Sequence, residues 1–181
     1  MRNTTAPPIV SIVGKSGAGK TTFLEKLIAE LTKRGLRIGT VKHDVHGFQM
    51  DKPGKDSWRH KQAGAVAALI SSPSQIGMVM DVDHDHDLDE LAPFFFGVDL
   101  ILAEGYKRGK KPKVEVFRPE AHSEPLCRGD EHLLALVSDV FVDLGVPRFS
   151  LEDSGGVADF LMTRFHLVPV SSGETEERSI L

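Results

Sequence analysis

The chain has 181 residues, 40% of them hydrophobic and 27% charged, which suits one globular domain with a substantial core. Its net charge of −4 excludes a general attraction to nucleic acid or to an anionic membrane. The single cysteine excludes an internal disulfide, and no apolar run is long enough to span a bilayer. Residues 1–8 carry no apolar segment of signal-peptide type, so a reducing cytoplasm is the expected compartment.

In chain order, the apolar run Ile9-Val10-Ser11-Ile12-Val13 predicts a buried strand. It leads into Gly14-Lys15-Ser16-Gly17-Ala18-Gly19-Lys20-Thr21, a full G-x-x-x-x-G-K-[ST] phosphate-binding loop, followed by Thr22. Glycines let the backbone wrap phosphate oxygens, Lys20 reaches the β- and γ-phosphates, and the Thr21 hydroxyl ligates Mg²⁺. Leu24, Leu27, Ile28 and Leu31 then fall at i, i+3, i+4 and i+7, one apolar helix stripe. Glu30 and Arg34 form an i,i+4 pair on its outer face, and Gly35 ends the helix. Residues 37–42 read as a second strand, completing a βαβ unit and therefore a mostly parallel, twisted sheet flanked by helices.

Beyond it, residues 55–62 predict a short helix, 65–70 an apolar run, and 76–80 a strand that suits an antiparallel edge or hairpin. Residues 87–96 have helical character, which Pro93 interrupts. Residues 100–103 form a buried-type strand ending at Glu104, 114–117 a shorter one, and 133–137 another buried one. Residues 155–165 make the last helix, with Asp153 or Ser154 as N-cap. One domain over residues 1–168 is expected, with 169–181 a disordered polar tail.

A phosphate loop needs an acidic partner for its metal, and Glu104 stands at a strand end with Gly105 turning the chain after it. Carboxyl ends of parallel strands line the ligand crevice of open α/β sheets, so Glu104 is expected near Thr21. The plainer alternative is a strand-capping Glu104 paired with Lys107 or Arg108. Two segments after the second strand are also chemically dense. In residues 51–57, Asp51 can reach Mg²⁺ or its waters and Lys55 a phosphate, although Pro53-Gly54 also reads as an ordinary turn. The acidic run of residues 81–90, with His84 and His86, reads as a solvated loop, and the five cations in residues 107–113 suit either a solvated turn or an anionic second substrate.

The phosphate loop, together with V-K-H-D-V-H at 41–46, D-K-P-G-K-D-S at 51–57, A-G-A at 63–65 and L-I-L-A-E-G-Y-K at 100–107, resembles the MobB family of molybdopterin-guanine dinucleotide biosynthesis adaptors. The similarity in order and spacing runs from about residue 9 to residue 165, and the second motif is its most diagnostic part. The resemblance implies a GTP-binding homodimer with weak GTPase activity that assists the nucleotidyltransferase joining GMP to molybdopterin. By it, residues 14–22 bind GTP phosphates, Thr21 and Glu104 serve Mg²⁺, and residues 51–57, with Asp51 and Lys55, form the family's second motif at the site. Related GTPases place a guanine-reading aspartate where Ser138-Asp139 follows the 133–137 strand, although no N-K-x-D motif is present and Asp139 can equally begin a turn. Lys15 resembles the lysine that reaches a partner subunit's nucleotide in dimeric P-loop proteins, or else attends its own phosphates. Two other classes stand beside this one. A metallochaperone-type GTPase would need His43, His46, His84 and His86 to bind metal, and a small-molecule kinase would need an arginine-rich lid, whereas residues 107–113 hold one arginine.

Overall fold

The computed structural model describes residues 6–169. The chain divides into two compact units, one running to His43 and resuming at Asp87, the other spanning Asp44–His86. The expected tail of residues 169–181 lies, apart from Pro169, outside the described residues.

The larger unit is built on six parallel strands. These are β1 (Ile9–Val13), β2 (Ile38–Lys42), β5 (Leu100–Glu104), β6 (Lys113–Val116), β7 (Leu133–Val137) and β8 (Arg148–Phe149), in the order β2-β5-β1-β6-β7-β8. Every residue of β1 is buried, as expected of a parallel strand covered on both faces. Side-chain alternation divides these apolar runs between two cores. Val10, Ile12, Leu100 and Leu102 face α1 (Lys20–Lys33) and α4 (Ser154–Phe165), meeting Leu27, Leu31, Val157 and Leu161. Ile9, Ile101 and Ala103 point the other way, toward Leu88 of α3 (Leu88–Leu91) and Phe95.

The helix ends follow local chemistry. The α1 stripe buries Leu24, Leu27 and Leu31 along with Phe23, and Ile28 packs at its margin. Gly35, at φ +82°, terminates α1 while Leu36 N–H returns to the Leu31 carbonyl at 3.2 Å. Arg34 bonds Glu30 at 2.5 Å and also reaches Asp159 of α4 at 3.1 Å. Asp153, not Ser154, caps α4 by accepting from Gly156 N–H at 2.8 Å. Where one helix was expected over residues 87–96, Asp87 and Glu90 form a capping box, and only four α-helical residues precede a 3-10 turn at Ala92–Phe94. Pro93 lacks the N–H that a longer α-helix would use, which explains the break.

The smaller unit holds α2 (Asp56–Gln62) and an antiparallel hairpin of β3 (Ala67–Ser71) and β4 (Ile76–Met80). The antiparallel strand expected at 76–80 is therefore part of a separate hairpin and not an edge of the main sheet. Ser72 closes the turn, its N–H bonding the Gln75 carbonyl at 2.9 Å. Lys61 ties the helix to the hairpin base through the Ala65 and Val66 carbonyls at 2.7 and 3.0 Å. Several large apolar side chains remain outside, with Val66 72% and Ile76 73% exposed.

Candidate functional site

The 14–21 loop leaves the carboxyl end of β1 and delivers the chain into α1. Gly14 at φ +145° turns so closely past β6 that a Cβ there would lie 2.3 Å from the Val116 carbonyl oxygen. Gly19, at φ +89°, occupies the N-cap of α1 and gives no side-chain cap, and the first turn holds no acidic residue. Such a helix start presents N–H groups and the positive end of the dipole to an anion. The Lys20 ammonium folds back over the loop and donates to the Lys15 carbonyl at 3.0 Å, while Ala18 N–H reaches the same carbonyl at 3.3 Å. No ion pair satisfies Lys15 or Lys20 among the described residues, so both cations stand available at the loop.

Strand order brings the acidic partner. β5 lies directly beside β1, with Glu104 opposite Ile12 in register, so its side chain emerges at the edge where the loop begins. Thr21 Oγ1 donates to Glu104 Oε1 at 2.9 Å. The alternative pairing of Glu104 with Lys107 or Arg108 does not occur. Gly105 N–H bonds the Ile12 carbonyl at 3.1 Å and His43 N–H the Glu104 carbonyl at 3.0 Å, which fixes the strand end from both neighbours. Behind it, the rings of His43 and Tyr106 pack at 4.7 Å. A threonine hydroxyl and a carboxylate held together at a phosphate loop form a hard-oxygen donor set of the kind Mg²⁺ takes.

Ser138 and Asp139 lie two strands away, at the carboxyl end of β7. Ser138 is fully buried and committed to the fold, since its hydroxyl accepts from Val140 N–H at 3.3 Å and its carbonyl from Arg148 at 2.9 Å. Asp139 is exposed and accepts from Leu151 N–H at 2.9 Å through one oxygen, the other having no partner among the described residues. Asp51 and Lys55 belong to the smaller unit. There Asp51 Oδ1 accepts from Ser57 at 3.0 Å and Lys52 N–H at 2.8 Å, its buried Oδ2 has no partner among the described residues, and Lys55 is the N-cap of α2. The histidines divide likewise, with His43 in the larger unit and His46, His84 and His86 in the smaller.

Two site residues escaped the sequence reading. Arg118, just past β6, donates through Nε to the Ala18 carbonyl at 3.2 Å, and His122 Nε2 meets the Ser16 carbonyl at 2.9 Å. Their only sequence signal is position after the 114–117 strand, and nothing local says that this strand adjoins β1. The cationic run of residues 107–113 is also more structural than its charge suggested. Lys113 is the buried first residue of β6, paired with Asp130 at 2.7 Å, and Lys111 pairs with Asp89 at 2.5 Å.

Similarity to known proteins agrees with this geometry. Residues 9–139 match the family model of MobB, molybdopterin guanine dinucleotide synthesis protein B. Molybdopterin-guanine dinucleotide biosynthesis adapter proteins of Haemophilus influenzae and Escherichia coli are each 36% identical to the chain. The alignments cover 88% and 90% of this chain and 90% and 95% of those proteins, respectively. Among solved structures, a molybdopterin-guanine biosynthesis protein B superposes with a TM-score of 0.68 at 29% identity, over 86% of this chain and 99% of that one. Bacillus subtilis MobB also gives 0.68, at 25% identity over 87% and 98%. The phosphate loop, the strand order and these similarities together show that the chain belongs to the MobB family.

Proposed function

We propose that this chain binds GTP with Mg²⁺ at residues 14–22, in the molybdenum cofactor biosynthesis to which its family belongs. The observation that carries the reading is the Thr21–Glu104 contact at 2.9 Å beside an uncapped helix start and Lys20. Thr21 and Glu104 would hold Mg²⁺, whose charge would offset that of the β- and γ-phosphates. The chain's own groups do the rest. Loop and helix N–H groups grip the phosphate oxygens, Lys20 exchanges its carbonyl partner for phosphate, and the open oxygen of Asp139 accepts from the guanine N–H donors that adenine lacks. Weak GTPase activity and prolonged holding of GTP are part of the proposal, as the family resemblance implies.

The reading extends to an accessory role in a reducing cytoplasm. GTP-loaded protein would assist the nucleotidyltransferase that attaches GMP to molybdopterin. A homodimer is part of the proposal, supported by the β3–β4 hairpin, whose two strands among the described residues pair only with each other and expose Leu69, Ile70 and Ile76, with Val66 exposed just before β3. Lys15, whose ammonium has no partner among the described residues, is free to reach either its own nucleotide or one across such a dimer.

Calorimetry with Mg²⁺ tests the assignment. Micromolar GTP binding with weaker ATP binding is expected, and Lys20→Ala should lose triphosphate affinity while its thermal melt stays near that of wild type. Equal affinity for the two nucleotides would overturn the guanine assignment. In cells, deletion should abolish guanine-dinucleotide molybdoenzyme activity, with restoration by wild type but not by Lys20→Ala.

A further inference from the structure

The phosphate loop is approached from two sides of β1. β5 delivers Glu104 on one side, and β6 delivers Arg118 on the other. Arg118 uses Nε alone, donating to the Ala18 carbonyl at 3.2 Å, and its two terminal amino groups have no partner among the described residues. The guanidinium lies close against the helix start, since a Cβ on Gly19 would stand 3.2 Å from Nε and 3.6 Å from Nη2. The arginine is also held from behind. Its carbonyl accepts from Ala121 and His122 N–H at 3.1 Å each, and His122 returns to the Ser16 carbonyl at 2.9 Å.

This placement has an unfavourable side. A half-buried guanidinium with no carboxylate partner loses hydration without gaining a counter-charge. It also packs against the start of α1, the positive end of the helix dipole, beside the loop that leads into Lys20, where an added cation is repelled. One anion at that point relieves all three costs. Its position along the nucleotide follows from strand order. Thr21 starts α1 just past β1, Glu104 ends the neighbouring β5 and Asp139 follows β7, so a nucleotide running from metal to base passes the end of β6, which lies between β1 and β7.

We infer that Arg118 binds the α- and β-phosphates of the nucleotide through its free amino edge, an assignment that rests on the GTP reading of residues 14–22. The contact is common to di- and triphosphates, and it does not require Mg²⁺.

Calorimetry on the full chain with GTP and GDP, each with and without Mg²⁺, tests this. Arg118→Ala should weaken GTP and GDP by a similar factor, about tenfold or more, and flatten the salt dependence of both. Arg118→Gln keeps an N–H donor for the Ala18 carbonyl but lacks the charge, and it should behave like the alanine variant. Wild-type affinity in Arg118→Gln would mean that the residue only shapes the loop, and would overturn the inference. Loss confined to GTP would place Arg118 at the γ-phosphate, and unchanged binding in Arg118→Ala would remove it from the site. Either result overturns the inference, whereas failure of the wild type to bind either nucleotide would instead refute the GTP reading itself.

Discussion

Replacing Gly14 by alanine isolates how tightly β6 closes on the phosphate loop. The new Cβ would meet the Val116 carbonyl oxygen at 2.3 Å and Lys20 Cγ at 3.5 Å. The oxygen is main chain in a strand paired on both sides, so it cannot rotate away, and the β1 and β6 ends must separate by roughly 1 Å to restore an ordinary contact. Overpacking of this kind costs about 1–3 kcal/mol, and a side chain at φ +145° adds about 1–3 kcal/mol of backbone strain. A midpoint of about 4 kcal/mol corresponds to a melting point lower by about 8–16 °C in a domain of this size. Gly17→Ala is the control. It has a positive φ of +78°, but its nearest added contact is Ala121 Cβ at 3.9 Å, so only the backbone strain applies and a fall of a few degrees is expected. Thermal unfolding followed by circular dichroism, with GTP calorimetry on each variant, makes the comparison. Equal melting points for the two variants would refute the idea that contact with β6, and not backbone conformation alone, constrains the loop.

Two further predictions concern buried ionisable groups. Lys113 is 2% exposed and depends on Asp130 at 2.7 Å. Burial pushes the Asp130 carboxyl up, but the Lys113 ammonium and the His132 N–H together outweigh it and leave it below the usual carboxylate range. A lowered folded-state pKa adds stability above the unfolded carboxylate pKa, and that stability is lost as pH falls through the folded value. Asp130→Asn should therefore cost about 3–5 kcal/mol in urea unfolding at neutral pH, with the difference from wild type narrowing below about pH 4; a difference independent of pH would contradict the pairing. Cys127 is 3% exposed, and burial, followed by the charge of Glu115, pushes its thiol up to about 12. Its reaction with a disulfide reagent near pH 8 should be negligible until the chain is unfolded, and rapid stoichiometric labelling of the native protein would show that the turn carrying it opens freely.

Much of the architecture is legible locally. The β1 run, the loop and the α1 stripe each carry their own signal over a few residues, and the 133–137 and 76–80 strands fall where apolar runs place them. Glu104 is legible because a carboxylate ending a buried run has few other uses. Other features have no such mark. β8 has two residues, too few to show a period, and Pro93 indicates a break without saying where the helix stops. Lys113 reads as one of five surface cations until its buried register opposite Ser11 of β1 and its Asp130 partner are seen.

The sequence by itself determined that this chain has a phosphate loop on a βα turn, a strand-end carboxylate and the motifs of its family, because each depends on neighbours within one turn or strand. Only the tertiary structure decided which strands flank β1, and hence that Glu104 meets Thr21 from one side while Arg118 reaches Ala18 from the other. Strand order depends on pairing between segments up to about a hundred residues apart, where burial and hydrogen bonding of the whole sheet choose the neighbours and no local pattern records the choice.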